Sequence, residues 1–465
     1  MRYISTRGKA PVLNFEDVVL TGLARDGGLY VPETWPQVSK EEIRGLAGVS
    51  YADAAAFLLQ PFLGSCISAS DFNAMTRKAY AGFSHKAVVP ISQLGSNEFL
   101  MELYHGPTLA FKDVALQLLG LLYDHLLGQR GKRITIIGAT SGDTGSAAIE
   151  ACRGREALDI FILHPAGRVS DVQRRQMTTV ADANVHNIAV EGDFDDCQAM
   201  VKAMFNDHVF RDELAVSAVN SINWARVMAQ ITYYFTTAVS LGSPERSLAF
   251  SVPSGNFGDI YAGYAASRMG LPIDQLIVAT NRNDILSRFF NSGEYRKSGV
   301  DPTISPSMDI QVSSNFERFL FDLYGRDGAA VNDLMEKLDR DGGFSVNMAQ
   351  LNEGIFSAGR CDEEETLLMI RKTLKESLKL VDPHTAVGLK VAEKCRNKKS
   401  VPMVTLSTAH PAKFPDAVEK ATGVRPALPA HLADLFERPE KLEQLPNDLE
   451  TVKSFIKERA RILGA

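Results

Sequence analysis

Cysteine is scarce in this 465-residue chain: Cys66, Cys152, Cys197, Cys361 and Cys395 are scattered with no CxxC pair. So sparse and odd a set excludes a disulfide frame and implies reduced thiols, as in a cytosol. The nine histidines show no HExxH spacing, so no metal site is expected. No apolar run approaches the roughly 20 residues needed to cross a bilayer. The opening MRYISTRGKA lacks the apolar core of a signal peptide, and a cytoplasmic location is expected. Charge of either sign is also in short excess: 50 Lys and Arg against 56 Asp and Glu leave a net charge of −6. Spread over this length, that argues against nucleic acid or an anionic membrane as the main partner. A small-molecule ligand remains, and neither internal repeats nor low-complexity segments suggest otherwise.

What is present is an ordinary globular composition, 45% apolar and 23% charged, over a length that implies two to four domains at about 100–200 residues each. Residues 1–95 hold turn signals such as RDGGLYVPETWPQ (25–37) and short helical patterns, and read as an N-terminal accessory domain. From about residue 97 apolar runs alternate with helical periodicity. RITIIGA (133–139), DIFILHP (159–165) and VHNIAVEG (185–192) read as strands; Asp113–Leu127, SAAIEACRG (146–154), DVQRRQMTTV (171–180) and FDDCQAMVKAMF (194–205) read as helices. After the helical stretch 223–241 the alternation restarts with SLAFSV (247–252), IYAGYAASRMG (260–270), IDQLIVATN (273–281) and PMVTLST (402–408). Strands apolar on both faces and separated by helices imply parallel sheets covered on both sides. The expected fold is therefore α/β, with a small domain over 96–240 and a large one over 241–465. The tail beyond Pro429 reads as charged helix on the outside.

In such sheets ligands gather at the carboxyl ends of strands, where loops lead into helices. ATSGDTGSAA (139–148) and VPSGNFGD (252–259) both place glycines and backbone N–H groups at a helix start, a setting for anions. The second lacks the GK[ST] ending of a Walker loop and is not GxGxxG. LSTAHPAKF (406–414) sets Ser407 and Thr408 just beyond a strand, where a hydroxyl can face a ring nitrogen. HGPTLAFKD (105–113) puts Lys112 directly after the apolar run Leu109–Phe111, a setting that disfavours the charged ammonium. A reactive lysine, two anion loops and a strand-end hydroxyl together suit pyridoxal 5′-phosphate (PLP), an aldehyde on a pyridine ring with a phosphate arm.

The ordered set of motifs resembles the threonine synthase family, of the longer microbial and fungal type, within the tryptophan-synthase β-like fold. YISTRG (3–8), GLARDGGLYVP (22–32), HGPTLAFKD, ATSGDTGSAA, NSINWAR (220–226), PSGNFGD, ATNRND (279–284), SPSMDIQVSSNFER (305–318), DPHTAVG (382–388) and LSTAHPAKF follow that family's blocks along nearly the whole chain. The resemblance implies a PLP site in a cleft between the two α/β domains, with conversion of O-phospho-L-homoserine and water to L-threonine and phosphate. It implies Lys112 as the lysine that binds the cofactor and moves protons. Gly255, Asn256, Phe257 and Gly258 would form the cup for the cofactor's phosphate, and Thr408 would meet the ring nitrogen. Asp143 stands where much of the wider fold has Asn beside the cofactor, and a carboxylate there would repel the substrate's own unless it turns away or shares a proton. Ser141, Thr144 and Gly145 are accordingly expected at the substrate carboxylate. Arg226 and Asn223 are expected at the substrate phosphate, with Arg282 or Arg318 as the next basic candidates. The chain is expected as a monomer or small homo-oligomer. A serine/threonine dehydratase or a β-replacing synthase of the same fold is the alternative reading.

Overall fold

The computed structural model describes the chain except Ser141, Ala218, Glu353 and Ala465, with residues 352, 463 and 464 described by backbone alone. Contact density divides it into two units, neither continuous in sequence. The first comprises Met1–Val19, Leu23–Phe111 and Ser221–Pro426; the second comprises Leu20–Gly22, Lys112–Asn220 and Ala427–Ala465. The expected boundaries, by contrast, run serially along the chain.

The first unit is built on a six-stranded sheet in the order Phe356–Arg360, Ile273–Thr280, Leu248–Pro253, Met403–Ser407, Glu98–Glu102, Ile91–Gly95. All pairs are parallel except the last, a hairpin at the edge. The hairpin straddles the expected boundary between the N-terminal and small domains, but the register of Glu98–Glu102 with Met403–Ser407 places it in this sheet. Every residue of Leu248–Pro253 and Met403–Ser407 is buried, as the continuous apolar runs require of central parallel strands. The N-terminal domain joins the same unit. Tyr3 and Phe62 pack on Trp224 at ring-centroid distances of 6.0 and 5.7 Å, so its aromatic core rests on the first turn of helix Trp224–Ser240. Aromatic rings bury large areas with few rotors to freeze, which suits them to fixing one helix on a separate segment.

The second unit holds a five-stranded, all-parallel sheet in the order Glu443–Pro446, Val185–Glu191, Leu158–Pro165, Ile134–Ala139, Val216–Ser217. The C-terminal tail contributes Glu443–Pro446 as an edge strand, paired in parallel with Val185–Glu191, before helix Leu449–Arg459. Its EQLP sequence carries no strand-like apolar pattern, because an edge strand exposed to solvent needs none. The helix buries Val452, Phe455 and Ile456 against Ile137, Phe161, Leu163 and Ile188. Arg461 closes the tail, its Nε donating to Asp159 at 2.6 Å and its Nη2 to the Leu158 carbonyl at 2.7 Å. Among the described residues no helix is long and apolar enough to cross a membrane, and no metal-ligating cluster is found.

Candidate active site

Lys112 is the first residue of helix Lys112–Arg130, one position earlier than the apolar pattern suggests, and is 8% exposed. A cation there faces the positive end of the helix dipole, an unfavourable place for a lysine with only a structural role. Its Nζ lies 3.6 Å from Oδ2 of Asp143, whose side chain is also buried. The other oxygen, Oδ1, accepts a hydrogen bond of 2.9 Å from the Gln173 side-chain amide. Asp143 opens its own helix, Asp143–Cys152, where a carboxylate is favoured by the dipole. The carboxylate is thus directed by Gln173 at the lysine amine.

Backbone geometry makes room for that arrangement. Gly142 has φ +141°, a conformation L side chains rarely adopt, and a Cβ there would lie 2.4 Å from Cδ of Gln173. A Cβ on Gly145 would lie 2.4 Å from Cγ2 of Thr140. The Thr140 hydroxyl accepts the N–H groups of Gly142 and Gly145 at 3.0 and 2.9 Å, capping the helix from the strand side. The Gly145 N–H, expected at a substrate carboxylate, is therefore engaged by Thr140. Thr144 is half-buried beside it, and Ser141 lies outside the described residues.

The stretch leading to Lys112 is fixed within the first unit. The Phe111 N–H donates to the Thr408 carbonyl at 2.8 Å and the His410 N–H to the Leu109 carbonyl at 3.0 Å. Lys413, fully buried, donates from Nζ to the Thr108 carbonyl at 2.7 Å. Upstream, Glu102 takes bonds from Ser92, His105 (2.8 Å) and Lys379 (2.9 Å). Burial pushes this carboxyl up, but the three donors outweigh it and hold it at about 2. Thr408 is 5% exposed, one residue past Met403–Ser407 as expected.

Gly255, Asn256, Phe257 and Gly258 turn sharply between strand Leu248–Pro253 and helix Gly258–Arg268. A Cβ on Gly255 would sit 3.1 Å from Cα of Met308. Phe257 adopts a left-handed φ of +62°, a strain of about 1–2 kcal/mol for a non-glycine residue. Its buried ring, 5.3 Å from Phe316 and 5.8 Å from Phe356 between centroids, offsets that strain. Among the described residues no protein acceptor takes the N–H groups of these four positions, whereas the Gly255 and Asn256 carbonyls are bonded to Ser313 and Asn315. A row of donors with no protein acceptor on a tight glycine turn fits a phosphate. Together with a lysine for an aldehyde, the residues present fit PLP.

Arg226 lies in the first turn of Trp224–Ser240 and is 4% exposed. Asn223 caps that helix: its Oδ1 accepts the Ala225 N–H at 3.0 Å and its Nδ2 donates to the Val19 carbonyl at 2.8 Å. Fully buried, Asn223 holds the first turn of the helix that carries Arg226. Arg282 is half exposed and pairs with Asp301 at 3.4 Å. Arg318 is fully buried, and its Nε and Nη2 donate to the Tyr30 and Ile222 carbonyls at 3.1 and 2.6 Å. The sequence reading missed Gln173 and Asn315. Each acts on a residue 30 or more positions away, a contact that no local pattern encodes.

Residues 2–80 match the family described as threonine synthase N terminus, 87–336 the pyridoxal-phosphate dependent enzymes, and 385–456 threonine synthase, C-terminal. Threonine synthase of Pseudomonas aeruginosa is 58% identical over 98% of both chains. A crystal structure of PLP-bound threonine synthase from Brucella melitensis superposes with a TM-score of 0.98 at 57% identity, covering 99% of this chain and 100% of that one. The yeast threonine synthase structure gives 0.94 at 41% identity, covering 98% of each.

Proposed function

The chain belongs to the threonine synthase family of PLP-dependent enzymes, and from that premise we propose that Lys112 carries its cofactor and moves its protons. It is a PLP-dependent lyase acting on a small-molecule substrate. The reaction is that of the family: O-phospho-L-homoserine and water give L-threonine and phosphate. The observation that carries the assignment of Lys112 is its placement: nearly buried, first in its helix, with a carboxylate 3.6 Å from its Nζ.

When bound, PLP supplies an electrophilic aldehyde and a conjugated ring that accepts electrons. Lys112 would hold the cofactor at its aldehyde, and its amine would take the Cα proton and serve protons at Cβ. Asp143, fixed by Gln173, would keep the amine oriented. The Gly255–Gly258 N–H groups would hold the cofactor's phosphate, and the Thr408 hydroxyl would face the ring nitrogen. A neutral hydroxyl there, unlike a carboxylate, would not favour a protonated nitrogen. Arg226 would pair with the substrate phosphate and stabilise it as it leaves Cγ, before water adds at Cβ. Ser141 and Thr144 would serve the substrate carboxylate, with Gly145, its N–H held by Thr140, shaping the turn that presents them.

We further infer a cytoplasmic protein, a monomer or small homo-oligomer, with neither nucleic acid nor membrane as partner; the small net charge supports this. The test is phosphate release from O-phosphohomoserine with the co-product identified. Threonine in equal amount to phosphate supports the reading. Ammonia and a keto acid in place of threonine would instead indicate a dehydratase.

A further inference from the structure

One short segment, Ser313–Arg318, is bonded to both candidate anion loops of the first unit. On the cofactor-phosphate side, Ser313 Oγ donates to the Gly255 carbonyl at 2.7 Å. The Asn315 N–H and Nδ2 both donate to the Asn256 carbonyl, at 3.0 and 3.1 Å. On the substrate-phosphate side, Asn315 Nδ2 also donates to the Ser221 carbonyl at 3.1 Å, and Arg318 Nη2 to the Ile222 carbonyl at 2.6 Å. Ser314 Oγ lies 3.1 Å from both Asn256 Oδ1 and Ser221 Oγ. Arg318 Nη1 closes the set by donating to Asn315 Oδ1.

The peptide unit is planar, with C=O and the following N–H pointing in opposite directions. Drawing the carbonyls of Ser221, Ile222, Gly255 and Asn256 towards one segment therefore turns the N–H groups of Ile222, Asn223, Asn256 and Phe257 away from it. Arg318 adds charge. It is fully buried, and among the described residues no carboxylate forms an ion pair with it; the neighbouring Glu317 is engaged by Arg7 at 3.1 Å. Burial pulls its guanidinium down only to about 10, so the cation persists at neutral pH. A buried positive charge behind two sets of outward-facing N–H groups favours anions at both.

We propose that Asn315 and Arg318 are positioning residues common to both phosphate sites, aligning the cofactor-phosphate loop and the substrate-phosphate loop as one device. The proposal rests on the assignment of these loops to the two phosphates. Neither residue touches a reacting atom, and their effect runs through the backbone they hold.

The test measures two affinities on the full chain: inorganic phosphate binding to the holoenzyme by calorimetry, and PLP rebinding after cofactor removal by fluorescence. Asn315→Ala and Arg318→Met should each weaken both by about tenfold, the effect of one lost charge-assisted or buried hydrogen bond. Arg318→Lys should recover part of both, since the charge returns without the three-way fork. Ser314→Ala, at a half-buried position that tolerates truncation, should weaken both by a few-fold while the protein stays folded by circular dichroism. This variant decides the matter where the buried ones do not fold. Two controls separate the proposal from the reading beneath it. Arg226→Ala should weaken phosphate alone, and Gly255→Ala, whose Cβ would meet Met308 and Ser307 rather than Asn315, should weaken PLP alone; failure of either refutes that loop's assignment. If both controls behave but the Ser314 and Asn315 variants move only one constant, or neither, the shared role is overturned.

Discussion

The Phe111 N–H donates to the Thr408 carbonyl at 2.8 Å, so the residue preceding Lys112 is tied to the residue expected at the cofactor's ring nitrogen. The antiparallel bridge between Ala110 and Ala409 completes the clamp. Two loops nearly 300 positions apart are thereby held in one register, and a change at Thr408 tests the ring assignment directly. Thr408→Asp should shift the cofactor's absorbance and its pH dependence and lower turnover, because a carboxylate would hold the pyridine nitrogen protonated. A spectrum matching the parent at every pH would remove Thr408 from that role.

Lys112→Ala should abolish turnover and the covalent attachment of PLP. Borohydride reduction followed by peptide mapping checks this: the parent should carry the label on the peptide containing Lys112, and the variant should carry none. Label on another lysine would move the assignment there.

Gln173→Leu removes the amide that fixes Asp143 Oδ1 at 2.9 Å while keeping the volume that packs on Gly142. A lost hydrogen bond to a charged group corresponds to roughly 1.5–3 kcal/mol, so kcat/KM should fall about one to two orders of magnitude. Steady-state kinetics with an unchanged melting temperature would place the effect on the Asp143–Lys112 pair rather than on the fold.

Arg226→Ala should lower kcat/KM by about one to two orders of magnitude, with PLP still bound. Arg226→Lys should recover only part, since an ammonium cannot make the planar two-point contact with phosphate. Near-parental kcat/KM in Arg226→Ala would leave Arg282 as the next basic residue to try, because Arg318 is committed to backbone carbonyls.

Glu102→Gln probes the anchor upstream of Lys112. The carboxyl has a reference value of 4.5 and is held at about 2 in the fold, so the folded state binds the proton more weakly than the unfolded one. Its stabilisation is therefore fully present above pH 4.5 and is lost as the pH falls towards 2. At pH 7 the variant should be less stable by about 1–3 kcal/mol. Denaturant unfolding across pH should show the gap between parent and variant closing below pH 4.5; a constant gap would mean the loss is one of packing.

Sequence alone determined the class of fold, because the central strands Leu158–Pro165 and Leu248–Pro253 are buried on both faces and so are mostly apolar, with Asp159 and Ser251 bonded to Arg461 and the Gly388 carbonyl. Period and composition sufficed to place them within a residue or two of their ends. It also pointed to Lys112, the glycine turn at 255–258 and the hydroxyl at 408, since each depends on a residue type at a fixed offset from a strand or helix. Only the tertiary structure decided what holds them. Asp143 reads as a misfit until Gln173, 30 positions on, is seen to aim it at the lysine. What fixes Asn223 beside Arg226 is its cap on Ala225 and its bond to the Val19 carbonyl, 204 positions away. The polar tail segment 443–446 reads as part of a charged outer helix until backbone pairing makes it a strand. In each case the deciding interaction is a hydrogen bond between distant segments. Such bonds draw on groups that every backbone and many polar side chains possess, so they leave no periodic mark on the sequence.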